Sequence, residues 1–155
     1  MSEARSPRDS ITEKTEIVLP QYANAIGTAF GGTIMSWIDI CAAVSAQRHC
    51  GRVAVTASVD ALTFLAPIRV GDVVILRSWV NAVFRTSMEV EVTVERENTV
   101  SQTRVLCANS LLTFVNIGDD GKPCVIAPLR LETDLDRERD AAARNRRAER
   151  LARRK

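Results

Sequence analysis

The sequence predicts an α+β fold in which a curved antiparallel sheet wraps around one long central helix. Three observations point there. Gly31–Gln47 is the most apolar stretch of the chain, with no proline and a single charged side chain, Asp39. The residues after Gly51 change from helical to alternating periodicity and keep it over four long runs. Those runs are joined by short turns, which antiparallel strands accept and parallel strands do not. A sheet of that length with one apolar helix to bury curls around the helix.

The elements follow in order. "MSEARSPRDS" is polar, lacks the apolar run of a secretory signal and reads as a mobile N-terminus, residues 1–10. "ITEKTEIVL" alternates loosely and forms a first strand, ended by Pro20. "QYANAIGTAF" is a loop with Asn24 and Gly27 at its turn. Gly31 and Gly32 permit a tight entry into the helix, with Thr33 as its cap and Gly51 as its stop. Apolar or small side chains lie on both faces, so the helix is expected to be buried on most sides. "RVAVTASVDALTFLAP", "DVVILRSWVNAV", "TSMEVEVTVER" and "SQTRVLCANSLLTFVNI" are the four remaining strands. In the third of these, Met88, Val90, Val92 and Val94 face one way, and Glu89, Glu91 and Glu95 face the other, as in a half-solvated strand.

The 155 residues suit one domain, residues 11–133. Residues 134–155 carry nine Arg or Lys against five Asp or Glu, so the overall charge of +2 comes from this tail and the remainder is negative. The tail has good helix formers but no apolar stripe, and is read as a frayed helix or a disordered arm. No apolar run reaches the length of a bilayer span, and the balance of charge requires no nucleic acid. A cytoplasmic, non-membrane protein is the default expectation. The cysteines at 41, 50, 107 and 124 form no CxxC pair and read as reduced, packed thiols.

Several chemistries lack their residues. There is no GxSxG elbow, no P-loop and no GxGxxG. A single histidine, His49, provides no pair for a catalytic metal, and its neighbour Cys50 is badly placed to face it as a nucleophile. His49 reads as a helix-end residue near the dipole. What remains is Asp39. An ionised carboxylate in an apolar helix either pairs with a donor or has its pKa raised. The plain reading is a structural aspartate bonded to backbone donors or to an arginine. The alternative is catalytic: the helix begins at "FGGT", and the N–H groups of Gly31, Gly32 and Thr33 are suited to hold an oxyanion close to it.

The chain resembles the hot-dog-fold acyl-CoA thioesterases, the bacterial and cytosolic acyl-CoA hydrolase group. The resemblance rests on "NAIGTAFGGTIMSWID" at 24–39, "VTASVDALTFLAPIRVGD" at 55–72, "RTSMEVEV" at 85–92 and "LLTFV" at 111–115, in order, over about residues 12–118. It implies hydrolysis of acyl-CoA to a carboxylic acid and coenzyme A, with no metal or redox cofactor; coenzyme A is part of substrate and product. It implies Asp39 as general base or nucleophile, Asn24 working with it from the other subunit, and Gly31 and Gly32 polarising the thioester carbonyl. Arg85, Thr86 and Ser87 fall where the family contacts coenzyme A. It also implies dimers joined edge to edge, assembled as trimers of dimers. Phe84 departs from the family, which tends to have glycine before the Arg-Thr-Ser triplet, and the resemblance offers no usable counterpart for the basic run from Arg137. Two other classes stay open: an acyl-CoA sensor or scaffold without catalysis, and a hot-dog dehydratase, for which His49 is poorly placed. Asp72 reads as a turn residue, Asp60 as a strand residue of undetermined facing, and Trp37 and Phe64 as core.

Overall fold

The computed structural model describes residues 3–154. Its elements are α1 (Pro7–Ser10), β1 (Thr12–Ile17), α2 (Gly31–Cys50), β2 (Ala54–Phe64), β3 (Val73–Val83), β4 (Ser87–Asn98), β5 (Thr103–Asn116) and α3 (Asp134–Arg153), with a short 3-10 turn at Pro20–Tyr22. The five strands form one antiparallel sheet in the order β1-β3-β4-β5-β2. β2 and β1 are therefore its edges.

α2 crosses one face of the sheet. Ile34, Trp37, Ile38, Cys41, Ala42, Ser45, Ala46 and His49 recur at helical spacing and are all buried. They meet Val74, Leu76, Val80, Met88, Val90, Val92, Val94, Leu112 and Phe114 from the central strands in one core. Alternation along β4 delivers four of those side chains, as the sequence indicates. Gly51 ends α2 with φ 68, a left-handed conformation natural to glycine, and its N–H donates to the Gln47 carbonyl. The helix start differs from expectation. Phe30, not Thr33, is the N-cap, and its side chain makes no capping bond. The Thr33 N–H already donates to the Phe30 carbonyl. Nor is α2 buried on most sides: Ser36, Ile40 and Gln47 are exposed in the protomer, and Asp39 lies at the boundary.

Both termini are more ordered than the sequence suggests. The C-terminal tail is neither frayed nor an arm over Asp134–Arg153: it forms a helix of 20 residues that packs on β3. A capping box at Thr133 and Asp136 starts it. Little apolar surface holds it, since Ala143 is its one fully buried apolar residue. Polar contacts do the rest. Arg146 donates to both carboxylate oxygens of the fully buried Glu89, at 2.5 and 3.0 Å. Arg139 lies 4.4 Å from the Trp79 ring centroid, and Arg144 and Arg147 lie 5.6 and 4.7 Å from that of Phe84. Glu89 does face away from the core, but α3 covers it, so β4 is not half-solvated there. The N-terminus is anchored to the same helix. Ser6 caps α1, Arg8 pairs with Asp136 and Glu132, and Ser6 and Ser10 are buried. The expected mobile segment is thus contradicted for residues 3–10; residues 1 and 2 lie outside the described residues.

All four cysteines are free thiols, and burial pushes those of Cys41, Cys50 and Cys107 upward in pKa. Among the described residues, no helix is long and apolar enough to cross a membrane.

Candidate active site

Asp39 is half-buried on α2 and accepts a hydrogen bond from Thr56 Oγ1 on β2, 2.6 Å from its Oδ1. The arginine partner of the plain reading is absent among the described residues. Thr56 was not singled out from the sequence. The alternation of β2 was the signal that could have found it, because it puts every second residue of that strand toward the helix.

Asn24 holds its own loop. Its Oδ1 accepts from the N–H groups of Ile26 and Thr28, both at 3.1 Å, and its Nδ2 donates to Thr28 Oγ1 at 2.6 Å. The Gly27 N–H donates to its carbonyl, closing the expected turn. These bonds saturate the amide oxygen and leave one amide hydrogen of an exposed side chain facing out. The loop is tied to the start of α2. The Phe30 N–H donates to the Tyr22 carbonyl, and the Tyr22 ring meets Trp37 edge-on at 5.5 Å.

At that start, the N–H groups of Gly31 and Gly32 have no partner among the described residues. With no side-chain cap, the positive end of the helix dipole is open. A Cβ on Gly32 would sit 2.8 Å from Phe30 Cε1, so only glycine lets the ring lie there. Asp39 is not close to these donors, however. It is eight residues into α2, about 12 Å along the axis at 1.5 Å per residue. One carbonyl cannot touch both ends of that span within a protomer.

Beside the helix start is an apolar cavity of about 400 Å³, lined by Thr28, Ala29, Ile34, Phe64, Leu65 and Ile68 among others. Phe64 is therefore a cavity wall, not core, whereas Trp37 is core. Thr86 and Ser87 line a second cleft, at the start of β4, and the exposed Arg85 does not line it. Asp72 is a turn residue that accepts from the Arg69 N–H. Asp60 accepts from Ser58 and Thr113. His49 is fully buried with Nε2 2.8 Å from the Ala127 carbonyl, and burial lowers its pKa. It is thus held neutral, in the tautomer that donates from Nε2, and is not a charge at the helix dipole. It lies ten residues beyond Asp39 along α2, about 15 Å, too far to share a proton with it.

A model of the thioesterase superfamily matches residues 26–102. An uncharacterised acyl-CoA thioester hydrolase of Bacillus subtilis is 44% identical over 132 residues, 85% of this chain and 77% of that protein. The chain belongs to the thioesterase superfamily. Its five-stranded antiparallel sheet and central helix are the hot-dog fold of that superfamily. A solved thioesterase of the same fold, the acyl-CoA hydrolase of Staphylococcus aureus in complex with butyryl coenzyme A, coenzyme A and coenzyme A disulfide, is 37% identical. It matches with a TM-score of 0.91 over 97% of this chain and 92% of that one. That enzyme has also been solved with alanine in place of one aspartate, one asparagine and one threonine. A hexameric acyl-CoA thioesterase matches with a TM-score of 0.93 at 34% identity, over 98% of this chain and 97% of that one. Coverage this complete extends the match across α3, which therefore does have counterparts in the superfamily.

Proposed function

We propose that the protein hydrolyses acyl-CoA to a carboxylic acid and free coenzyme A, with Asp39 as general base. One observation carries the reading. The three residues replaced in the S. aureus hydrolase, an asparagine, an aspartate and a threonine, are separated by 15 and 17 positions. Asn24, Asp39 and Thr56 have the same order and the same spacings here.

The roles follow from the chemistry of each group. The acyl chain enters the cavity beside Phe64 and Ile68, which removes it from water. The Gly31 and Gly32 N–H groups point at the thioester oxygen and stabilise its charge as the carbonyl carbon becomes tetrahedral. Asn24 presents its outward amide hydrogen to the attacking water or the carbonyl. Asp39 accepts a proton from that water as its oxygen bonds to carbon. Thr56, bonded to the other carboxylate oxygen, fixes the direction of the base. Collapse breaks the carbon–sulfur bond and expels the thiolate, which takes the proton and leaves as coenzyme A.

The roughly 12 Å along α2 favours a site divided between two protomers. We assign Asn24 and the helix start to one protomer and Asp39 to its partner. β2 is the edge where they join: it has no neighbour on its outer side, and Val55, Val59 and Phe64 are exposed along it. Pairing of β2 with β2 of a second copy gives a dimer and covers Ile40, the exposed apolar residue of α2. The hexameric relative supports assembly of three such dimers.

The test is thiol release from a panel of acyl-CoAs of increasing chain length, with the wild-type protein beside Asp39→Ala and Asp39→Asn. Turnover in the wild type and a loss of about 10²–10⁴-fold in both variants is the expected result. Binding of acyl-CoA without turnover in the wild type would instead make the protein a sensor or scaffold.

A further inference from the structure

We infer that the second cleft holds the phosphate groups of coenzyme A, with Arg147 and Arg150 of α3 and Arg154, which caps its end, as the anion-binding side chains. This rests on the acyl-CoA reading above and adds α3 to the substrate site. The cleft has a volume of about 260 Å³ and is lined by those three arginines and by Ser58, Thr86 and Ser87. No acidic side chain lines it. Asp60 lies beneath, accepting from Ser58 Oγ at 2.7 Å, with Arg150 Nε 3.8 Å away. That contact offsets one of the three positive charges and leaves the cleft cationic.

Two details separate this from an ordinary basic surface. First, Arg150 Nη1 is buried and has no acceptor among the described residues. An unsatisfied buried donor is costly, and an oxyanion in the cleft removes the cost. Second, Arg147 is positioned. Its guanidinium lies 4.7 Å from the Phe84 ring centroid, and Arg144 secures the same ring while donating to the Val83 carbonyl at 3.0 Å. Phe84, the bulky residue that precedes Arg85-Thr86-Ser87, is thus the platform on which α3 presents Arg147.

The location suits the substrate. Ser87 pairs with Val115, and Val115 with Val55. The start of β4, the end of β5 and the start of β2 therefore lie side by side at one end of the sheet. Thr56, which holds Asp39, is at that end. Coenzyme A has a diphosphate and a 3′-phosphate, and the planar guanidinium with neighbouring hydroxyls is the donor set such groups select.

The test is calorimetric binding of coenzyme A and 3′-dephospho-coenzyme A to the wild type and to Arg147→Gln, Arg150→Gln and Arg154→Gln. Arg153→Gln, on the same helix but outside the cleft, is the control. KM is measured in parallel for an acyl-CoA and for the same acyl group on pantetheine, which has no phosphate. Each cleft variant should weaken coenzyme A binding and raise the acyl-CoA KM about fivefold to tenfold. Arg153→Gln should change neither, and the acyl-pantetheine KM should be the same in all. Phe84→Ala, through release of Arg147, should resemble Arg147→Gln.

Unchanged coenzyme A affinity in all three cleft variants overturns the inference. So does an equal rise in KM for acyl-pantetheine, which would mean a general disturbance. Arginine-dependent binding of adenosine 3′,5′-bisphosphate with an unchanged acyl-CoA KM would overturn it in favour of a separate nucleotide site. Arginine-dependent coenzyme A binding in a protein that hydrolyses no thioester would uphold the cleft while refuting the hydrolase reading.

Discussion

Thr56 Oγ1 donates to Asp39 Oδ1 at 2.6 Å, joining an edge strand to the middle of the central helix. Hydrogen bonds to charged groups contribute about 1.5–3 kcal/mol, and this one also aims the carboxylate. Thr56→Val keeps the shape of the side chain and removes the donor. It should lower kcat by about tenfold or more and leave KM for acyl-CoA within about twofold. Thr56→Ser should restore most of the rate. Equal loss in both variants would indicate that packing, not the hydroxyl, matters.

The separation of Asp39 from Gly31 and Gly32 makes complementation a direct test of the divided site. Asn24→Ala and Asp39→Ala proteins should each be nearly inactive as pure assemblies. Mixed and re-equilibrated, half the dimers are hybrid, and each hybrid has one intact site. About a quarter of wild-type activity should then return. No recovery, with exchange verified by mass, would place both residues of a working site on one protomer.

The outer face of the sheet carries a buried ion pair. Glu89 is fully buried and its partner Arg146 is one-third exposed. Asn81 donates to Glu89 and Glu91, and Asn109 donates to Glu91, so the carboxylates are bonded into a network. Arg146→Ala removes the one cation from the buried Glu89 and should destabilise the protein by about 2–4 kcal/mol. Glu89→Met with Arg146→Leu should recover much of that loss. Chemical denaturation of the three proteins measures both effects.

A pH dependence follows from Asp136. Its burial would raise the pKa, but Arg8 and the N–H groups of Glu132 and Thr133 outweigh it and hold the carboxyl down at about 2. The unfolded value is 3.8. The stabilisation is therefore fully present above pH 4 and is lost as pH falls from there toward 2. The difference in Tm between wild type and Asp136→Asn should be constant from pH 5 to 7 and shrink below pH 4. A difference undiminished at pH 2.5 would argue against the carboxylate as its source.

The central fold was legible because period alone decides it. Met88, Val90, Val92 and Val94 alternate without interruption, and the apolar run from Gly31 to the Gly51 stop leaves no other element. Asp39 stood out for the same reason, as a lone charge in that run. The chain's ends were misread because polar contacts fix them. Nothing in the periodicity of residues 134–155 announces that Arg146 will find Glu89, or that Phe84 will sit beneath Arg144 and Arg147. Both faces of α2 look apolar in sequence, and a sequence does not say which of them the sheet covers. Thr56 was missed because the alternation of β2 turns several residues toward the helix and does not say which of them reaches Asp39.

The roughly 12 Å of α2 between Gly31 and Asp39 would also govern when the proposed chemistry begins. With the site divided between two copies as proposed, a newly synthesised chain that has met no other copy would hold half of each site and turn over nothing. At low abundance the rate would then rise with the square of the protomer concentration and become linear only once pairing saturates. Thioester loss would be gated by how much protein has accumulated, and dilution alone would switch it off.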